Sequence, residues 1–196
     1  MNFIALENET VLLRPLDKGD VQGILEAVNF PEIWLHMSTT MENIEDVNGF
    51  VDNALATKEK KTEFPFVIID KVSGQIIGST RFMDIDDKHK RLEIGTTWLI
   101  PAYWRTAINT NCKYLLLQYC FEILKLQRVQ IKTDHENYRS QKAIERIGAI
   151  KEGVLRNHMI RKDGTIRHTV MYSITNEDWP EIKTHLQKLL VYSPVN

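Results

Sequence analysis

The chain has few of the features that mark special classes of protein. Two cysteines in 196 residues cannot form a disulfide framework. Nine glycines and six prolines are too few for a collagen-like or low-complexity tract, and no Gly-, Pro- or Ser-rich linker divides the sequence. No apolar run approaches the ~20 residues of a membrane span. An excess of one charge is also missing. The 25 Lys and Arg against 26 Asp and Glu leave a formal net charge of −1, which argues against a general nucleic-acid partner. The opening MNFIALENETVLLRPL lacks the early positive charge and following apolar stretch of a secretion signal. Neither GxxxxGK(S/T) nor GxGxxG occurs, so Walker-type and Rossmann-type phosphate binding are unsupported. No HExxH, EF-hand or zinc-like Cys/His spacing occurs either, so no metal is expected.

What remains is an ordinary globular composition, 43% hydrophobic and 26% charged. A chain this long buries roughly 70% of its unfolded surface without staples. One domain over residues 1–196 is expected, with its core at about 10–176 and a C-terminal helix at about 177–190. Cys112 and Cys120 fall on one predicted helix, eight residues apart. That is about 12 Å of rise, beyond disulfide reach, and the stripe they share is a core stripe. Reduced thiols fit a cytoplasmic protein.

The hydrophobic pattern predicts the order β-α-α-β-β-β-α-β-α-β-β-α. Thr10–Leu16 reads as a strand stopped near Pro15. Asp17–Val28 puts Val21, Ile24, Leu25 and Val28 on one helical face. Glu42–Ala56 repeats the signal with Ile44, Val47, Phe50, Val51 and Leu55. Phe64–Asp70 and Ile76–Met83 flank a turn at Val72-Ser73-Gly74-Gln75 as a hairpin, and Arg91–Ile100 is a strand ended by Pro101. Residues 109–125 form the strongest helix, capped by Asn109 or Thr110, with Cys112, Leu116, Tyr119, Cys120 and Ile123 inward. After a strand at Arg128–Thr133, Ser140–Ile147 is a short helix with Ser140 as its natural cap and Gly148 at its end. Lys151–Arg161 and Thr165–Thr175 are strands joined across Asp163-Gly164. Glu177–Leu190 closes the chain as an amphipathic helix capped by Asn176, with Trp179, Ile182, Leu186 and Leu189 inward. Strand–helix–strand over 91–133 makes a parallel pair, and the hairpins supply antiparallel neighbours. The fold class is mixed α/β, a mixed central sheet with helices on both faces.

Two strand-to-helix junctions invite chemistry. The loop at 104–111, WRTAINTN, offers small and polar residues and one formal charge, Arg105, at a helix N-terminus. Free backbone N–H groups there can hold an anion, although an ordinary β–α connection has the same appearance. At 133–149, TDHENYRSQKAIERIGA, Asn137 can bond amides through both its donor and its acceptor. Ser140 is either a helix cap or a catalytic hydroxyl. Trp34, His36 and Met37 lie in a loop that is either anchored by one buried tryptophan or borders a site.

These residues carry a resemblance. The runs W-R-T-A-I-N-T-N-C-K, R-V-Q-I-K-T-D and N-x-R-S-x-x-A-I-E-R-I-G-A-x-x-E-G, between Trp104 and Gly153, are similar to the GNAT superfamily of acetyl-CoA-dependent N-acetyltransferases. More narrowly they resemble its RimJ/RimL-like branch, whose founding members acetylate N-terminal amines of ribosomal proteins. The likeness extends from LRPL near residue 13 to EDWPEI near 180, nearly the whole chain. It implies a GNAT-type sheet in which a parallel pair, 91–100 and 128–133, splays apart. The pantetheine arm of acetyl-CoA would lie in the gap beside the backbone of Trp98, Leu99 and Ile100. Its pyrophosphate would sit on the loop and helix start formed by Trp104, Arg105, Thr106, Ala107, Ile108, Asn109 and Thr110. Where the superfamily reads Arg/Gln-x-x-Gly-x-Gly/Ala, this chain places Trp104, Ala107 and Asn109, with Arg105 one position late. Asn137 would hold the pantetheine and Ser140 would lie near the thioester sulfur. Trp34, His36 and Met37 would border the acceptor site, with Trp34, Met37 and Glu93 binding the acceptor, and a backbone N–H of the 91–100 strand would stabilise the developing oxyanion.

An attacking amine must be neutral. At pH 7 roughly one α-amine in seven is neutral, against about one lysine side chain in 2,500. Glu93 is the candidate base, on the same strand face as Gly95, whose missing side chain leaves room beside the carboxylate. The alternative for Glu93 is an exposed strand residue paired with Arg81 or Arg91. Ser140, with Tyr138 as the alternate, would serve the leaving thiolate. The resemblance thus implies an acyltransferase that moves acetyl directly to a primary amine, of a protein N-terminus or a small molecule, in a ternary complex. Charge, hydropathy and ligand spacing lead to the expectation of no nucleic acid, no membrane and no metal, and a homodimer is common in the resembled branch. The alternative is a CoA-binding protein without acyl-transfer activity, in a sensor or assembly role.

Overall fold

The computed structural model describes residues 4–191, so both ends of the expected 1–196 domain lie outside the described residues. The strands are β1 (Leu6–Glu7), β2 (Val11–Pro15), β3 (Phe64–Asp70), β4 (Ile76–Asp86), β5 (Arg91–Leu99), β6 (Arg128–Asp134), β7 (Ile150–Ile160) and β8 (Ile166–Thr175). The helices are α1 (Val21–Ala27), α2 (Ile44–Glu59), α3 (Ile108–Gln118), α4 (Tyr138–Arg146) and α5 (Trp179–Val191). One eight-stranded sheet runs in the order β1-β2-β3-β4-β5-β6-β8-β7. Its neighbours are antiparallel except for β5 and β6, which are parallel. This is the mixed α/β sheet that the pattern predicts.

Period-two alternation sorts the strand side chains between two cores. In β3, Phe66 and Ile68 join Phe82, Leu116 of α3 and Leu186 of α5 on one face. Val67 joins Leu16, Ile24 of α1, Val47 and Val51 of α2 and Trp98 on the other. Helices on both faces are why β3 reads as a continuous apolar run rather than an alternating one.

Several local expectations change. Strand β1, only two residues long, is too short to show a period. The first helix starts at Val21 rather than Asp17, because Asp17 caps a 3-10 turn at Lys18–Asp20. The Asp17 carboxylate accepts from the Gly19 amide at 2.7 Å, and Asp20 accepts from the Asp17 amide at 2.9 Å. Ile123 is exposed, not inward. After Gln118 the chain enters a π-helical turn, Tyr119–Ile123, in which the Leu124 amide reaches the Tyr119 carbonyl. One extra residue in a turn rotates the apolar stripe by about 100°, so Phe121 is buried instead. Asp178, not Asn176, adjoins α5, and its carboxylate accepts from both the amide and the hydroxyl of Thr175. Gly148 closes α4 as expected: its φ is +91°, and an added Cβ would stand 3.0 Å from Ile182 of α5.

Candidate active site

β5 and β6 stay in register for three rungs only, Arg91↔Arg128, Leu92↔Val129 and Glu93↔Gln130. Beyond that point β5 follows β4 as far as Gly78↔Leu99, while β6 follows β8 as far as Asp134↔Thr169. Between Gly95 and Trp98 strand β5 carries one more residue than β4 opposite it, and Thr96 there takes φ +42°. Such a bulge bends the strand out of the ladder. A cleft of about 820 Å³ opens between the diverging strands.

Main-chain groups line this wedge selectively. The Ile100 amide donates to the Ile77 carbonyl at 2.9 Å, so it faces β4. The Trp98 carbonyl faces β4 too, close against Gly78. By alternation Leu99 turns its backbone toward the wedge, and its carbonyl accepts from the Trp104 indole at 2.8 Å. Of the three backbone positions expected beside a pantetheine arm, Leu99 alone presents its main chain to the gap; those of Trp98 and Ile100 belong to the β4 ladder.

Glu93 sits on the last paired rung and is buried. Its Oε2 accepts from Gln130 Nε2 at 2.8 Å and pairs with Lys132 Nζ at 3.0 Å. Both partners come from the same face of β6, two residues apart. Neither sequence alternative holds: Arg81 pairs with Glu63 at 2.8 Å and Arg91 with Asp86 at 3.1 Å. An added Cβ on Gly95 would meet Glu93 Oε1 at 2.9 Å and Met83 Sδ at 2.8 Å. The glycine therefore gives the carboxylate its space.

Across the wedge, Asn137 and not Ser140 caps α4. Its Oδ1 accepts from the Ser140 amide at 3.0 Å, because the helix starts two residues earlier than its apolar pattern indicates. Ser140 is thereby relieved of capping and lines the cleft together with Tyr138. With its oxygen committed, Asn137 offers the cleft an amide nitrogen. Asn137→Ala is expected to raise the KM for acetyl-CoA about fivefold through a lost hydrogen bond. It should also lower Tm by about 3 °C through a lost cap. Asn137→Asp keeps the capping oxygen and should restore Tm but not KM. An unchanged KM in both variants removes Asn137 from the site.

The loop before α3 is tied down at several points. Tyr103 donates to Asp70 at 3.0 Å, and Thr106 Oγ1 donates to the Tyr103 carbonyl at 2.8 Å. Helix α3 starts at Ile108 with Ala107 as cap and no side-chain capping bond, so Asn109 and Thr110 lie inside the helix rather than at its cap. Trp104, Arg105, Thr106 and Asn109 line the cleft. The side chains of Ala107, Ile108 and Thr110 do not: Ile108 is in the core, and buried Thr110 accepts from Arg146 at 2.8 Å.

Sequence reasoning missed three cations. Arg139 stacks over Trp104 at 3.6 Å from the ring centroid. Burial, then the charge of Arg105, lowers its pKa. Among the described residues neither Arg105 nor Arg139 has an ion-pair partner, and both line the cleft near the start of α3, where the Ile108 amide donates to Thr106 Oγ1 at 3.3 Å. Together with the Leu99 main chain turned toward the wedge, that donor set fits a diphosphate-bearing pantetheine thioester. Lys113 is buried, donates to Thr97 Oγ1 at 2.9 Å, and is pushed down to about 8 by burial. Arg167 of β8 is the third. Arg139 and Lys113 carried a signal in the sequence, their places in the N-x-R-S block and at the end of the W-R-T-A-I-N-T-N-C-K run, and Arg167 carried none.

An outer pocket of about 200 Å³ adjoins the cleft. The two share His36, Met37, Ser38, Asp134, Met159 and Arg167. Trp34 lines the outer pocket only and packs on Trp98 at 5.8 Å. Burial would raise the Asp134 pKa, but the Arg161 fork at 2.8 and 2.9 Å and the Glu136 amide outweigh it and hold the carboxyl at about 2. Cys112 and Cys120 are free and buried, and burial pushes the Cys112 thiol up to about 12, which suits core residues rather than nucleophiles.

Residues 10–150 match the model of the acetyltransferase (GNAT) domain family, and the chain belongs to that family. It is 28% identical over 173 residues to the uncharacterized N-acetyltransferase YoaA of Bacillus subtilis, covering 88% of this chain and 97% of that one. A GCN5-related N-acetyltransferase from Brucella melitensis has the same fold, with TM-score 0.90 and 27% identity over 97% of this chain and 86% of that one. The microcin C7 self-immunity acetyltransferase MccE, solved with acetyl-CoA and AMP, shares the fold at TM-score 0.75 and 24% identity, over 86% of this chain and 93% of that one. The protein is accordingly an N-acetyltransferase. Among the described residues no group of His, Cys, Asp and Glu could hold a metal ion, and no helix is long and apolar enough to cross a membrane.

Proposed function

We propose that the protein transfers acetyl directly from acetyl-CoA to a primary amine, peptide N-terminal or small, in a ternary complex. In this reading it acts as one domain of the RimJ/RimL-like branch, in the cytoplasm. The observation that carries the reading is the wedge between β5 and β6, with the Leu99 main chain turned toward it along one wall and Glu93 buried at its apex. Acetyl-CoA, when bound, supplies an activated acetyl group. Arg105, Arg139 and the start of α3 hold its phosphates, and Leu99 and Asn137 hold its amides. Glu93 takes the proton of the incoming amine, directly or through a water, and the Gln130 and Lys132 bonds keep the carboxylate aimed. A backbone N–H of β5 donates to the oxygen on which charge develops. Ser140, or Tyr138, hydrogen-bonds the departing sulfur.

Incubation with acetyl-CoA and a panel of N-terminal peptides and small amines, read by free-thiol release, tests this. Acceptor-dependent thiol release together with an acetylated amine is the expected result. CoA binding without turnover on any acceptor would instead assign the fold a sensing or assembly role.

A further inference from the structure

At the acceptor end both buried carboxylates have close cationic partners, while one buried cation has no close partner among the described residues. Glu93 has Lys132, and Asp134 has Arg161. Arg167 stands opposite Met159 in the β7–β8 hairpin and lines both the cleft and the outer pocket. Its side chain is 13% exposed, and its Nε is buried without a hydrogen-bond partner. The nearest carboxylate oxygen, on Asp134, is 3.9 Å away and already engaged by Arg161. Arg167 is also close enough to Glu93 for the two charges to interact. A buried guanidinium with no fork partner is unfavourable until an oxyanion supplies one, and its planar fork suits a carboxylate or phosphate.

We propose that Arg167 anchors an anionic group of the acceptor, so that the acetylated amine belongs to a small molecule that also carries a carboxylate or a phosphate. This rests on the acetyl-transfer reading above. A small acceptor is favoured over a long chain by the outer pocket, which is only about 200 Å³. Its flanks are also tied together, where Lys162 of the hairpin tip donates to Thr40 in the loop opposite. A polyamine would bring more positive charge beside an arginine whose Nε has no hydrogen-bond partner.

Thiol release is measured with acceptors of matched length: α-amino acids, aminoalkyl phosphates, the corresponding neutral carboxamides and alkylamines, diamines, and peptides with blocked C-termini. The anionic sets are expected to exceed the neutral ones in kcat/KM by roughly 10- to 100-fold. The better of the carboxylate and phosphate arms identifies the anion. Arg167→Gln should abolish that ratio, mainly through KM for the anionic acceptor, and Arg167→Lys should restore part of it. Acetyl-CoA affinity by calorimetry, unchanged in both variants, shows that the cleft is intact. Neutral amines or blocked peptides served as well as anionic ones, or a ratio that survives Arg167→Gln, overturns the anchor and leaves acetyl transfer standing. No turnover by the wild type on any set overturns the acetyl-transfer reading itself.

Discussion

Glu93→Gln is expected to lower kcat about 100-fold, the usual range for removing a positioned general base, with little change in KM for acetyl-CoA. The amide is isosteric, so it fills the space that Gly95 leaves and keeps a contact with Gln130, while it can no longer take a proton. The loss should depend on pH in a definite direction. An α-amine of pKa ~7.8 is neutral in about one molecule in 60 at pH 6 and mostly neutral at pH 8.5. At low pH the base must first collect the ammonium proton. At high pH it need only accept the proton released after attack, which water can do more slowly. The ratio of wild-type to variant kcat/KM should therefore be largest at pH 6 and shrink toward pH 8.5. A ratio that is flat across this range, or a variant as fast as the wild type, takes Glu93 out of the proton path. Buried Glu93 also balances Lys132, whose side chain is 23% exposed and can turn to solvent when its partner becomes neutral. The variant should fold.

The order of strands and helices was legible because it depends on local periodicity. The apolar run at Phe64–Asp70, the Asp163-Gly164 turn and the Gly148 stop each involve a few neighbouring residues. The wedge could not be derived from residues alone, since it depends on where the β5–β6 register ends. It entered the sequence reading through family resemblance. What periodicity missed needs information from across the fold. The π turn at Tyr119–Ile123 has no compositional mark, so Ile123 was assigned to the wrong face. The cap of α4 was misplaced because both Asn137 and Ser140 are good capping residues, and only the backbone distinguishes them. Glu93 was recognised as a candidate, but its partners Gln130 and Lys132 lie 37 and 39 residues away and are set by strand pairing. Arg167 had no signal at all. Its distinction is a buried Nε without a hydrogen-bond partner, which becomes visible only after β7, β8 and the Trp34–Ser38 loop are brought together.

Gly78→Ala is the substitution expected to damage the fold and the site together. Gly78 pairs with Leu99 across β4 and β5. A Cβ there would stand 2.2 Å from the Trp98 carbonyl oxygen, 2.8 Å from Leu99 Cδ2 and 3.2 Å from Leu99 Cα. Two of these atoms are backbone, so no rotamer change relieves the overlap and β5 must move by about 1 Å away from β4. Overpacking of this kind costs about 3 kcal/mol, which in a chain of this length lowers Tm by roughly 6–12 °C. The direction of the shift matters more for function. Moving β5 away from β4 pushes it toward β6 and narrows the wedge at Leu99, the position whose backbone is open to it. Acetyl-CoA affinity should fall at least tenfold even at temperatures where the variant is fully folded. Gly49→Ala serves as the control, because an added Cβ there meets nothing within 4 Å. It sits in the interior of α2, where alanine is the better helix former, and it should be neutral or slightly stabilising. If Gly78→Ala melts within 2 °C of the wild type and binds acetyl-CoA equally well, β5 has yielded without closing the gap, and the wedge is not held open by the close β4–β5 contact.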